Sequence, residues 1–129
     1  MTVEEIIVAK LLSDIAITDI IGDRIYAQEI NQGDTVPALV YLMADETPIN
    51  SQSGICLYET KLWIQCTTKT YSQARALQKA VVSCLDRYDN QVSGDTNIII
   101  TRYDGVVGSE KEKDTEYRNI VLDFKILNK

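Results

Sequence analysis

The side chains that could do chemistry in this chain are few, and one of the most versatile is missing. There is no histidine, which removes Ser-His and Cys-His nucleophile pairs, imidazole zinc sites and the side chain that titrates near neutrality. Cys56, Cys66 and Cys84 are spaced without any Cys-x-x-Cys pair. A nucleophilic cysteine needs a nearby base to form thiolate, and the usual one is absent. The reading is therefore three free thiols serving as small hydrophobes in an intracellular, reducing setting. The acidic start Thr2-Val3-Glu4-Glu5 lacks the basic and then apolar order of a secretory signal.

Paired carboxylates can transfer protons or hold a divalent cation when they share a cleft. Asp45 and Glu46 are adjacent and diverge on a strand; Asp19 and Asp23 lie one helical turn apart and suit capping or surface decoration. No glycine-rich phosphate loop, HExxH pair or EF-hand loop occurs. The run Glu110-Lys111-Glu112-Lys113-Asp114 alternates in sign, the pattern of a solvated loop. Arg75, Lys79 and Arg87 could line one helix face. However, 13 Lys plus Arg against 19 Asp plus Glu gives a net charge of −6, a field that repels phosphate. No catalytic residue, metal site or cofactor is expected, nor sequence-specific nucleic-acid binding or membrane association.

The elements that would position any site are legible. A length of 129 residues, 45% hydrophobic and 25% charged, suits one domain with one core, residues 1–129, burying roughly two-thirds of its accessible surface. Thr2-Val3-Glu4-Glu5 is a capping box, and Val3, Ile6, Ile7 and Leu11 recur at helical spacing to about Ser13. A short helical turn over Thr18–Ile21 ends at Gly22, before Arg24–Ala27 runs extended. Thr70-Tyr71-Ser72-Gln73 repeats the capping logic. Ala74, Leu77, Val81, Cys84, Leu85 and Tyr88 follow as the apolar stripe of a helix from Tyr71 to Tyr88.

The apolar run Ala38–Ala44 after Pro37 reads as an interior strand. In Tyr58–Thr67, alternation puts Tyr58, Thr60, Leu62, Ile64 and Cys66 on one face and Glu59, Lys61, Trp63 and Gln65 on the other. Trp63 is an aromatic among polar neighbours, suited to packing in the core or at the sheet edge, or to anchoring a subunit contact. Ile98–Tyr103 and Tyr117–Leu127 read as two strands paired antiparallel. Ile30–Val36, Asp45–Gly54 and Val106–Thr115, rich in polar and turn-forming residues, read as exposed loops, the last one flexible in an isolated chain. The fold class is α+β: an antiparallel or mixed sheet of about 4–5 strands with two main helices on one face.

The ordered series Leu11-Leu12-Ser13-Asp14, Gly22-Asp23-Arg24-Ile25-Tyr26, Val36-Pro37-Ala38-Leu39-Val40-Tyr41 and Thr70-Tyr71-Ser72-Gln73-Ala74 resembles the tail-completion family of long-tailed phages and prophages. That family is related to lambda-like tail terminators and head-to-tail joining proteins. The resemblance runs from about Leu11 to Leu127 and rests on the series, since no single motif decides it. It implies a structural virion protein, present in the tail and in the host cytoplasm during assembly. Its partners would be its own copies in a hexameric ring, the tail tube protein and the head-tail connector protein.

A ring of identical subunits needs two different, complementary patches on each chain. Trp63 with Glu59 and Lys61, and the loops bearing Asp45, Glu46, Glu110, Lys111, Glu112, Lys113 and Asp114, are the candidate contact residues. Acidic residues facing a channel would let DNA slide past without sticking. The alternatives are an adjacent neck or head-side connector protein, a small-ligand regulatory domain, or an uncommon hydrolase built on a carboxylate and a metal.

Overall fold

The helices begin where side-chain hydroxyls and carboxylates cap them. Thr2 Oγ1 accepts the Glu5 amide at 3.2 Å, and α1 runs Val3–Leu12. Asp14 Oδ1 accepts the Ala16 amide at 2.9 Å and opens α2, Ile15–Ile21. Thr70 Oγ1 accepts the Gln73 amide at 3.2 Å and opens α3, Tyr71–Leu85. Each cap satisfies one of the donors that a helix start leaves unpaired, worth about 1 kcal/mol. The structure, a computed structural model, describes residues 2–28, 36–51, 54–111 and 117–129.

The strands are β1 (Ile25–Ala27), β2 (Ala38–Ser51), β3 (Gly54–Thr68), β4 (Gln91–Ser93), β5 (Thr96–Lys111) and β6 (Arg118–Asn128). They form one mixed sheet in the order β1-β2-β3-β6-β5-β4. β1 runs parallel to β2, and the other neighbours are antiparallel. The α+β expectation holds, with six strands and three helices. β4 is the additional strand. It is three residues of Gln-Val-Ser paired to Thr96–Ile98 of β5, too short to show a period.

Alternation along β3 and β6 sets the core. Leu62, Ile64 and Cys66 of β3 and Leu122, Phe124 and Ile126 of β6 are fully buried. They join Ile7, Leu11, Ile17, Ile21, Leu77, Val81 and Leu85 from the helices in one cluster. All three helices therefore cover the same face of the sheet. Gly22, with φ +62°, ends α2 in a conformation that glycine adopts without strain. Arg24 then bonds the Pro37 carbonyl through Nε at 2.8 Å and the Ile20 carbonyl at 3.3 Å, tying the end of α2 to the start of β2.

α3 ends at Leu85 rather than at Tyr88. Asp86 Oδ1 accepts the Tyr103 amide at 3.0 Å, and the Arg87 amide donates to the Thr101 carbonyl at 2.8 Å. The chain leaves the helix to run along the free edge of β5, with Arg87 and Asn90 at positive φ. Asp89 Oδ1 accepts from the Thr101 amide at 3.1 Å and from Arg102 Nη1 at 2.8 Å. The guanidinium holds the Asp89 carboxyl below its ordinary range.

Two segments expected as loops are strands. Asp45–Ser51 continues β2 and pairs with Gly54–Lys61, to Ser51 opposite Gly54. Val106–Lys111 continues β5 opposite Arg118–Leu122. Polar side chains do not stop an antiparallel ladder, because the ladder uses backbone groups that every residue except proline supplies in full. β-Bulges interrupt the register near Ala44, Asp104 and Val107, and Gly105 sits at φ +120° at one of them. β6 ends at Asn128 opposite Tyr58, so the outer part of the β2–β3 hairpin extends past the sheet as a two-stranded arm. Residues 30–35 of the first expected loop lie outside the described residues; Val36 is buried.

Phe124→Ala removes the largest fully buried side chain and also its ring contact with Tyr103 at 5.5 Å. It is expected to cost about 3–5 kcal/mol in urea unfolding with an unchanged m-value.

Candidate assembly face

The side chains of the sheet face without helices lie in cross-strand rows. Leu42, Trp63 and Asp123 are direct partners across β2, β3 and β6; the next row on one side is Asp45, Lys61 and Lys125, and on the other Val40, Gln65 and Val121. Lys125 Nζ lies 3.7 Å from Glu59 Oε1, with both side chains more than a third exposed, so this pair adds little stability. Val40, Leu42, Trp63, Gln65, Val107 and Val121 enclose an open groove of about 440 Å³. The groove is mostly apolar and lies on the sheet face opposite the helices.

Four of the residues singled out from the sequence, Trp63, Glu59, Lys61 and Asp45, share this face. Trp63 is partly buried and forms one wall of the groove. Glu46 pairs with Thr60, whose side chain points to the core side, so the two adjacent acids diverge. Glu110 and Lys111 lie in β5 opposite Asn119 and Arg118, at the end of the sheet away from the β2–β3 arm. Glu112, Lys113 and Asp114 lie outside the described residues. The structure thus gathers one group and separates the others.

Sequence reasoning missed the two polar residues of β6 that flank Val121. Asp123 Oδ1 and Asn119 Oδ1 are buried acceptors with no hydrogen-bond partner among the described residues. Both alternate with the core residues Ile120, Leu122 and Phe124 and so belong to the open face. A buried acceptor left unpaired costs about 1–3 kcal/mol. The only sequence signal was their place on the polar side of the β6 alternation.

The thiols that are described are inert. Cys66 is fully buried, and burial pushes its pKa up to about 12. Cys84 is pushed up to about 11, first by burial and then by the Asp14 carboxylate; its Sγ lies 3.7 Å from the Lys10 carbonyl oxygen. Both are free; the Cys56 side chain lies outside the described residues. Among the described residues no three His, Cys, Asp or Glu side chains gather as a metal site. No described helix is long and apolar enough to cross a membrane.

A chain in the virion of a native gene transfer agent particle superimposes with a TM-score of 0.82 over 95% of this chain and 90% of that one, at 14% sequence identity. At that identity the likeness establishes a shared α+β fold. The sequence matches the family model of the tail completion protein gp17 over residues 5–129, and the chain belongs to that family. No curated protein sequence matches it.

Thiol chemistry follows from the two shifts. Peptide mapping after alkylation at pH 8 should find Cys66 and Cys84 unmodified in the folded protein and modified after unfolding. Because unfolded thiols ionise near pH 9 while the buried ones hold their protons, their contribution is intact below pH 9. Stability should fall from pH 9 toward about 11 to 12, measured by urea unfolding across that range.

Proposed function

We propose that this chain is a structural assembly protein of a phage or prophage tail, acting as a single domain with no catalytic activity. Copies form a ring of six at the head-proximal end of the tail, end the polymerisation of the tube and join it to the head connector. The observation that carries this reading is the family match over residues 5–129, and the fold shared with a chain of a virion particle supports it. The chain acts in the virion tail and is present in the host cytoplasm while tails are built.

The mechanism is recognition by shape. A ring subunit needs a projecting element and a receiving surface, and a small domain has room for both only on different sides. The face carrying Trp63, Glu59, Lys61 and Asp45 serves as one contact surface. The β2–β3 arm, which lies beyond Asp45 and Glu46 on β2, and the end of β5 with Glu110 and Lys111 extend along the ring axis or toward its lumen, and Glu112, Lys113 and Asp114 contribute contacts as well. They meet the tube protein on one side and the connector on the other. With −6 on each chain, acidic side chains such as Asp45, Glu46, Glu110, Glu112 and Asp114 facing the lumen would repel passing DNA phosphates and keep the duplex from adhering.

Deleting the gene and imaging the lysate by negative-stain electron microscopy tests the reading. Tubes of runaway length with separate filled heads are the expected result. Tails of normal length without heads would shift the assignment to an adjacent neck protein, and normal virions would refute it.

A further inference from the structure

We infer that the ring contact seats the exposed stripe of α3 from one copy in the Trp63 groove of the next copy; this deepens the ring reading and rests on it. The groove asks for a particular partner. Its walls are mostly apolar, and Trp63 presents an aromatic ring of the kind that attracts cations. Asp123, directly across from Trp63, places a partly exposed carboxylate beside the groove. A covering surface should therefore be slender and partly apolar, and should bring N–H groups or positive charge.

α3 supplies such a surface. In a chain of net charge −6, this helix of 15 residues contains no acidic residue. Tyr71, Arg75 and Lys79 fall four apart on its solvent side, with Ser72, Ala76 and Ser83 exposed beside them. The small residues leave a low ridge that can enter a groove, and Tyr71 is 56% exposed. Arg75 Nη1 donates to Gln78 Oε1 at 2.7 Å, and Gln78 Nε2 donates to the Tyr103 hydroxyl at 3.3 Å. The guanidinium is thereby held before any partner arrives, which lowers the ordering cost of binding. Neither Arg75 nor Lys79 forms an ion pair among the described residues.

The two surfaces are also placed correctly. The apolar side of α3 packs toward the core face of β3 and β6, so its exposed stripe points away from the sheet, while the groove opens on the opposite side. Complementary patches on opposite faces give a head-to-tail contact, the type that closes into rings. A cation of the stripe would lie over Trp63 and pair with the partly exposed Asp123 carboxylate across from it.

Photo-cross-linking in assembled particles tests this contact. With p-benzoylphenylalanine replacing Gln65, irradiated particles should yield a joint peptide between this position and residues 70–87 of a second copy. A cross-link to another segment of a second copy would overturn the docking and keep the ring. Cross-links only to other proteins, or the absence of the chain from particles, would overturn both. An adduct to DNA, or no cross-link in particles that hold the chain, would overturn the docking. Charge reversal gives a second readout: R75E/K79E and D123K should each lower particle yield about tenfold or more. The triple variant should recover to within about threefold of the native yield, and a triple variant no better than the pair would contradict the contact.

Discussion

The structure depends on the burial of one face of a six-stranded sheet beneath three helices. Alternation along β3 and β6 sends Leu62, Ile64, Cys66, Leu122, Phe124 and Ile126 to that side, and the apolar residues of the helices join them in one cluster. This single choice of face fixes everything on the other one. Trp63, Lys61, Glu59 and Asp123 are delivered to the open side because their neighbours are needed in the core. The outward face of α3 is exposed for the same reason, since its apolar stripe is committed to the sheet.

A domain built in this way has two distinct sides and two extended hairpins. Residues Leu42–Ile49 are exposed, and the arm beyond Tyr58 and Asn128 has only two strands. Isolated hairpins are marginal in water, so an arm of this kind gains from a neighbour. The buried thiols, raised toward pKa values of about 11 and 12, are packing groups. Membership of the tail completion family accords with a chain whose distinguishing features are surfaces.

The sequence made the helix starts legible because capping is local: Thr2 and Thr70 bond amides three residues on. The faces of β3 and β6 were legible because burial repeats every second residue. Helix and strand ends were less so, because distant groups decide them. α3 stops at Leu85 when Asp86 finds the Tyr103 amide, a partner seventeen positions away. The polar ends of β2 and β5 resembled loops because side-chain polarity is a poor guide to backbone pairing at exposed ladders. In the candidate site, Trp63 and its charged neighbours could be placed on one face by alternation. The groove could not, since it requires the register that brings Leu42 and Val121 beside Trp63 and Gln65. That the Asn119 and Asp123 acceptors find no partner among the described residues is likewise a property of three-dimensional packing.

The central claim is that copies of this chain close into a ring through opposite faces of the sheet–helix sandwich. A cryo-electron microscopy reconstruction of the head–tail junction at side-chain resolution tests it most directly. The account requires a closed ring of this chain between tube and connector, with the helix layer of each copy against the open sheet face of its neighbour. A junction in which the chain is monomeric, or in which its open sheet face meets solvent, would contradict it.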